Sequence, residues 1–249
     1  MYIRPVHAEL DVPTLQQFIR SYPLGLFTTS IPSPKYATLQ TTHIPFVLST
    51  LEDDPEDKGK LRGHMARANP QAKAIIDALN ESGEDELSEE VLILFNAPVH
   101  SYVTPKFYVE SKPADGKVVP TWDFAAVQVY GRATIHYKNN DATGSFLQQQ
   151  VEDLSREGEQ SMLKRSGKEG IERPWKVSDA PQKYVDTLKK GIIGIEITIE
   201  RIEGRFKLHQ EVSDGDWQGV VDGFKALGTS EGDTMVAMLE QRGSKRSVQ

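Results

Sequence analysis

Residues 91–137 read VLILFNAPVHSYVTPKFYVESKPADGKVVPTWDFAAVQVYGRATIHY. The segment opens with a short apolar run, Val91 to Phe95, of the length and composition of a buried strand. Turn chemistry follows at Asn96-Ala97-Pro98. Over residues 125–137 apolar side chains alternate with polar ones, which is the period of a strand, and Gly131 marks a bulge or a close backbone approach. The long loop between carries His100, Ser101, Tyr102, Thr104, Lys112, Lys117, Thr121 and Trp122. Loops held by strands are where binding groups are usually mounted. Pro120-Thr121-Trp122 sets a fixed φ, a hydroxyl and a flat ring side by side, a set suited to a ligand with a planar face and polar edges. A hairpin loop whose Trp covers the core would use the same residues.

Outward from this segment the chain keeps a strand-rich pattern. Asp11 precedes an amphipathic helix through Leu15, Phe18, Ile19 and Tyr22. Residues 24–29 and 36–48 read as strands, with Pro45 marking an edge or a bend. Residues 61–66 read as another, and Asn69-Pro70 as a helix start with Asn as cap and Pro at the first helical position. The acidic stretches 52–57 and 81–90 read as insertions or spacers. Helices are expected over 141–158, from Asp179 to about 190, from Ser213, and over 231–241. Residues 161–177 read as charged and irregular. Strands are expected over 191–202 and again over 205–210. Several strands in the first half with interspersed helices predict a mainly β fold, a closed antiparallel sheet decorated by helices. Residues 1–225 read as one domain, and 226–249 as a C-terminal helix with a disordered tail.

Composition narrows the function. The 249 residues hold 29 basic and 36 acidic side chains, a net charge of −7, which argues against broad electrostatic binding to nucleic acid or an anionic membrane. There is no cysteine, which excludes disulfides, thiolate catalysis and cysteine zinc sites and fits a cytoplasmic protein. No apolar run reaches the ~18–20 residues of a membrane span. The six histidines are scattered, none in a paired helical motif, so no metal site is expected. Hydrolase elbows, Gly-rich phosphate loops and DNA-reading helices are absent from the pattern.

Two constellations carry chemistry. In His64-Met65-Ala66-Arg67-Ala68-Asn69-Pro70 a strand leads into a helix start, where free backbone N–H groups and the dipole favour an anion. Arg67 adds a two-pronged contact for phosphate. An ordinary capped helix with a solvated arginine gives the same sequence. In Thr38 to Phe46, Gln40, Thr42 and Ile44 share one strand face and Thr41, His43 and Pro45 the other. Such a row of Gln and Thr can hydrogen-bond the edge of a heteroaromatic ring, although threonine also simply favours strands.

These motifs, with Met1-Tyr2, His7-Ala8-Glu9, Lys117-Val118-Val119-Pro120-Thr121-Trp122, Pro174-Trp175 and Gly194-Ile195-Glu196, resemble the PaiB family of FMN-binding split-barrel proteins, often labelled negative transcriptional regulators. The resemblance runs from Met1 to about residue 223. It implies a six-stranded antiparallel split barrel, a homodimer, and FMN at the subunit interface. By position it makes Arg67 and Asn69 phosphate-side candidates, with His64 and Ala66 in the same motif. Gln40, Thr41, Thr42, His43 and Ile44 become a strand along the isoalloxazine ring. Lys117, Pro120, Thr121 and Trp122 approach the flavin, and Lys207 and Gln210 correspond to the family's late Lys-Leu-Ser-Gln strand. Asp123 stands where the family commonly has Asn, and His209 where it commonly has Ser; a carboxylate there would disfavour an anionic reduced ring. The resemblance implies a flavin-dependent oxidoreductase of unknown substrate. A regulatory or ligand-sensing protein is a second reading. Haem binding through His43, His64 or His209 is a third.

Overall fold

A computed structural model describes residues 1–51, 54, 57–166 and 173–243. Most of the acidic stretch 52–57 and all of the tail from 244 lie outside the described residues. The chain runs β1 (Ala8–Glu9), α1 (Val12–Ser21), β2 (Leu24–Ser30), β3 (Leu39–Pro45), β4 (Val47–Ser49), β5 (Lys60–Ala66), α2 (Pro70–Ser82) and β6 (Val91–Asn96). It continues through β7 (Ser101–Val103), α3 (Ser111–Ala114), β8 (Thr121–His136), α4 (Asp141–Ser166), α5 (Gln182–Lys190), β9 (Ile192–Lys207), α6 (Asp214–Ala226) and α7 (Ser230–Gly243). No helix among the described residues is long and apolar enough to cross a membrane. The chain forms two compact units, one of Gln16–Phe95 with Val129–Ile202, the other of Met1–Leu15, Asn96–Gln128 and Glu203–Gln249.

In the first unit the strands lie in the order β3-β2-β6-β8-β9-β5-β4. The two edge strands, β3 and β4, are consecutive in sequence and separated only by Phe46. A flat sheet cannot place neighbours in sequence on opposite edges, so this one curls until its edges meet. Ile44 of β3 packs against Gly63 of β5 at the seam. The strand read over 36–48 is thus two strands broken at a corner. Pro45 has no N–H to continue a ladder, and the Phe46 N–H instead donates to Pro23 O at 2.9 Å. Six strands of six residues or more form the sheet, as expected, and the short β1, β4 and β7 add to them.

Alternation places the core. β2 and β5 alternate buried and outward residues along their length. Phe46 is 1% exposed and meets Phe95 edge-on at 6.0 Å between ring centres. A Cβ on Gly63 would stand 2.9 Å from the Phe46 ring, and one on Gly25 would stand 3.1 Å from it, so glycine at both sites makes room for the ring. Gly131 is the close approach anticipated: its Cα faces the Thr198 carbonyl with no space for a side chain.

α4 differs from the reading. It runs on to Ser166, through residues that look irregular because they are polar. Asp141 in its first turn and Lys164 and Arg165 in its last suit the helix dipole. Asp153 (3% exposed) anchors it by accepting from Arg62 Nη2 of β5 at 2.7 Å. Asp179 sits in a 3-10 turn, accepting from Lys176 N at 2.9 Å, and α5 starts later, with Pro181 at its cap. Residues 205–207 are the end of β9 rather than a separate strand.

In the second unit, β1 pairs with the end of β9 and β7 with the start of β8. Val103, Leu208, Val220, Phe224, Met235 and Leu239 form its core. Ser213 caps α6 as expected, accepting from Asp216 N. Arg242 of α7 is buried and donates to Glu9 Oε2 at 2.6 Å and Ala8 O at 2.7 Å.

Phe46→Ala should lower unfolding free energy by about 3–5 kcal/mol, the usual cost of emptying a packed aromatic site. Urea denaturation checks this. An unchanged midpoint would mean the corner ring does not hold the curled sheet.

Candidate functional site

The β5–α2 junction is built from Asn69. With extended backbone (φ −60°, ψ 133°) its Oδ1 accepts from Gln71 N at 2.8 Å. Its Nδ2 donates to Thr42 Oγ1 at 3.0 Å, so the helix start is tied to β3. Gln71, 1% exposed, adds a second tie: its Nε2 donates to Phe27 O, Thr29 Oγ1 and Gln40 O at 3.0–3.1 Å. Gln40 and Thr42 are half-buried on the face toward α2, and Gln40 Nε2 is buried without a partner. Ile44 on that face is a core residue, 1% exposed. Thr41 and His43 point to the exposed side, where Thr41 Oγ1 meets Thr28 Oγ1 at 2.9 Å. The structure therefore brings Gln40, Thr42 and Asn69 together.

Arg67 is not a solvated arginine. It is half-buried, its N–H donates to Gly191 O at 2.9 Å, and its Nη2 donates to Tyr137 O at 2.7 Å. One nitrogen thus fixes the orientation of the guanidinium. Ala66 is exposed and its carbonyl accepts from Asn69 N.

His64 pairs with Gly194 across β5 and β9. Phe146 of α4 stands where a Gly194 side chain would be and stacks on His136 at 3.7 Å. His64 Nδ1, His136 Nε2 and both amide atoms of the fully buried Gln150 have no protein partner. Burial pushes both histidines below their ordinary range, offset at His136 by Glu196 and Asp85.

The remaining candidates lie in the other unit. Lys207 Nζ donates to Thr121 Oγ1 at 2.6 Å and to Trp122 O at 3.1 Å. The Trp122 ring is half exposed; its Nε1 donates to His100 Nδ1 at 3.0 Å and Tyr102 meets it edge-on at 6.2 Å. Gln210, 6% exposed, is spent on its own loop, accepting from Leu208 N and donating to Phe206 O. Lys117 is exposed and paired with Asp115 at 3.5 Å, and Pro120 is exposed. Asp123 and His209 form a buried hydrogen-bonded pair, Oδ2 to Nδ1 at 2.5 Å, and His209 Nε2 meets the Tyr108 hydroxyl at 3.0 Å. Burial, with Asp123 nearby, pushes the Tyr108 phenol up to about 12. With both ring nitrogens engaged, His209 has none for haem iron.

Sequence reasoning missed Gln71 and Tyr108. A glutamine in a first helical turn reads as solvated, and a tyrosine in a loop reads as surface. For His209, the departure from the family pattern was the available signal.

This curled antiparallel sheet, with consecutive strands at its two edges, is a split barrel decorated by helices. The chain belongs to the family described as "Putative FMN-binding domain", whose sequence pattern matches residues 1–201. It is 52% identical over 254 residues to the uncharacterized protein AN0679 of Emericella nidulans, with 99% of each chain covered. It is 24% identical over 246 residues to the Protease synthase and sporulation protein PAI 2 of Bacillus subtilis, covering 99% of this chain and 100% of that one. The PaiB resemblance is borne out. Among solved structures, the conserved hypothetical protein Rv2991 from Mycobacterium tuberculosis is similar with a TM-score of 0.46 at 11% identity, over 83% of this chain and 90% of that one.

Asn69→Ala removes both the cap and the tie to Thr42 and should cost about 1–2 kcal/mol. Asn69→Asp keeps an N-cap acceptor and should cost less. Equal losses in urea denaturation would give the stability to the Thr42 bond alone. Because the folded protein holds His64 and His136 below their unfolded range, the unfolded chain binds more protons on acidification. Their contribution to stability is then fully present above about pH 7 and is lost as pH falls below the ordinary imidazole value of about 6.5 toward the lowered folded ones. His64→Gln should flatten that fall in melting curves between about pH 7.5 and 5.5; an identical slope would place the titration elsewhere.

Proposed function

We propose that the protein binds FMN and works as a flavin-dependent oxidoreductase, a cytoplasmic homodimer whose substrate is a small molecule. The observation that carries this reading is the Arg67 guanidinium, held by one nitrogen to Tyr137 O beside the Asn69-capped start of α2. A fixed fork next to a helix N-terminus suits a phosphate. The orphaned Gln40 Nε2 offers a buried donor for a polar ring edge. In the other unit, the half-exposed Trp122 ring presents a flat apolar face and Lys207 a cation. FMN, when bound, supplies the electron-carrying ring; the chain's residues anchor, orient and tune it. The family match supports flavin over other planar phosphates.

Titration with FMN and riboflavin tests the reading. Arg67→Ala should raise the FMN dissociation constant by roughly 10- to 100-fold, and the riboflavin constant less, because riboflavin lacks the phosphate. The same change should cost about 1 kcal/mol of stability through the lost Tyr137 bond. Equal losses for both ligands would assign Arg67 to the ring or the fold. A parent protein that takes up no FMN would sink the proposal, and a monomer at micromolar concentration with FMN bound would sink the homodimer part of it.

A further inference from the structure

Asp123 and His209, the two single-residue departures from the PaiB pattern, are each other's partners. Asp123 is fully buried and His209 is 2% exposed. A lone carboxylate in such a place is expensive, and it is stable only when charge and hydrogen bonds meet it. His209 Nδ1 meets one oxygen at 2.5 Å, and Lys207 Nζ lies 3.5 Å from the other. The imidazole is pinned at its far end by the Tyr108 hydroxyl at 3.0 Å. His209 also stands in the left-handed backbone region, φ 57°, which few non-glycine residues adopt, histidine more readily than most.

Lys207 is the most exposed member of the group, with 13% of its side chain exposed. Two of its three N–H bonds go to Thr121 Oγ1 and Trp122 O. Asp123 Oδ1 accepts no hydrogen bond, so the third N–H is uncommitted. We infer that Asp123 and His209 are a positioning pair that acts as one unit to fix the Lys207 ammonium, and that Lys207 gives its third N–H to an electron-rich atom, anionic or carbonyl, of a bound ligand. The carboxylate itself is sealed from that ligand and acts through the lysine, whose charge it offsets. The ligand half of this inference rests on the flavin reading; the pairing half does not.

The test compares the parent with Asp123→Asn, His209→Ser and the double variant. Each single change strands a buried partner and should lower the melting temperature by roughly 5–10 °C. The double variant should regain at least half of the larger loss. Losses that simply add, or a double variant that does not fold, overturn the pairing. Acylation of Lys207 by an amine-reactive ester, followed by peptide mass mapping, should run about fivefold faster in the double variant and in any folded Asp123→Asn protein, because the amine has lost its counter-charge. An unchanged rate reduces the pair to a core contact and overturns its positioning role. With FMN as the probe, the ratio of affinities for reduced over oxidised FMN should rise about tenfold in the double variant. An unchanged ratio overturns the ligand half. A parent that binds no FMN removes the flavin reading and the ligand half together, while melting and labelling still decide the pairing.

Discussion

The one-residue corner at Phe46 is the constraint on which the larger unit depends. β3 and β4 are the two edges of one sheet path, and a single residue joins them. The path must therefore close, and closure needs something to fill the turn. Phe46 fills it at 1% exposure, with Ile93 and Phe95 around it and glycines at 25 and 63 giving it space. Register follows. In a strand with period two, a slip of one residue would bring Arg62 or His64 to face the ring where Gly63 now lies. Neither fits, so β5 is locked against the corner.

The polar joints follow a different rule from the core. Buried polar groups hold only when paired, and each joint here uses a side chain to satisfy backbone atoms that the sheet leaves over. Gln71 serves Phe27 O and Gln40 O, and Arg67 serves Tyr137 O. Asp216 accepts from Glu110 N at 2.8 Å at the base of α6. Loops and helix ends are thereby fixed without enlarging the apolar core.

Much of this was legible in the sequence where it is local. The strand β6 was readable from its apolar run and the body of β8 from alternation, and α2 and α6 from the caps Asn69 and Ser213. The bend at Pro45 was legible too. That its two arms lie on opposite edges was not, because the information resides in pairings with β2 and β5. α4 was cut short in the reading because its last turns carry no apolar stripe: residues 159–165 are exposed or half-buried, and the helix continues through them. Asp123 and His209 were each visible as oddities, but 86 positions separate them, and only the fold makes them partners.

The candidate site inherits its geometry from the corner. β5 pairs with β9 from Lys60↔Thr198 to Ala66↔Ile192, and the next step of that ladder is Arg67 N donating to Gly191 O. Arg67 thus stands where the ladder ends, one residue past a register that Gly63 and Phe46 hold. Two residues later Asn69 closes onto Thr42 of β3, the strand that runs into the same corner. For the phosphate contact proposed above, an arginine on a free loop would lose affinity to its own mobility, since every rotamer it must give up costs free energy on binding. Here the backbone of Arg67 is held by the ladder and one arm of its guanidinium by Tyr137 O, so most of that ordering is done by folding. The packing of a phenylalanine at a sheet corner and the preorganisation of a cationic fork at a helix start are consequences of one strand register.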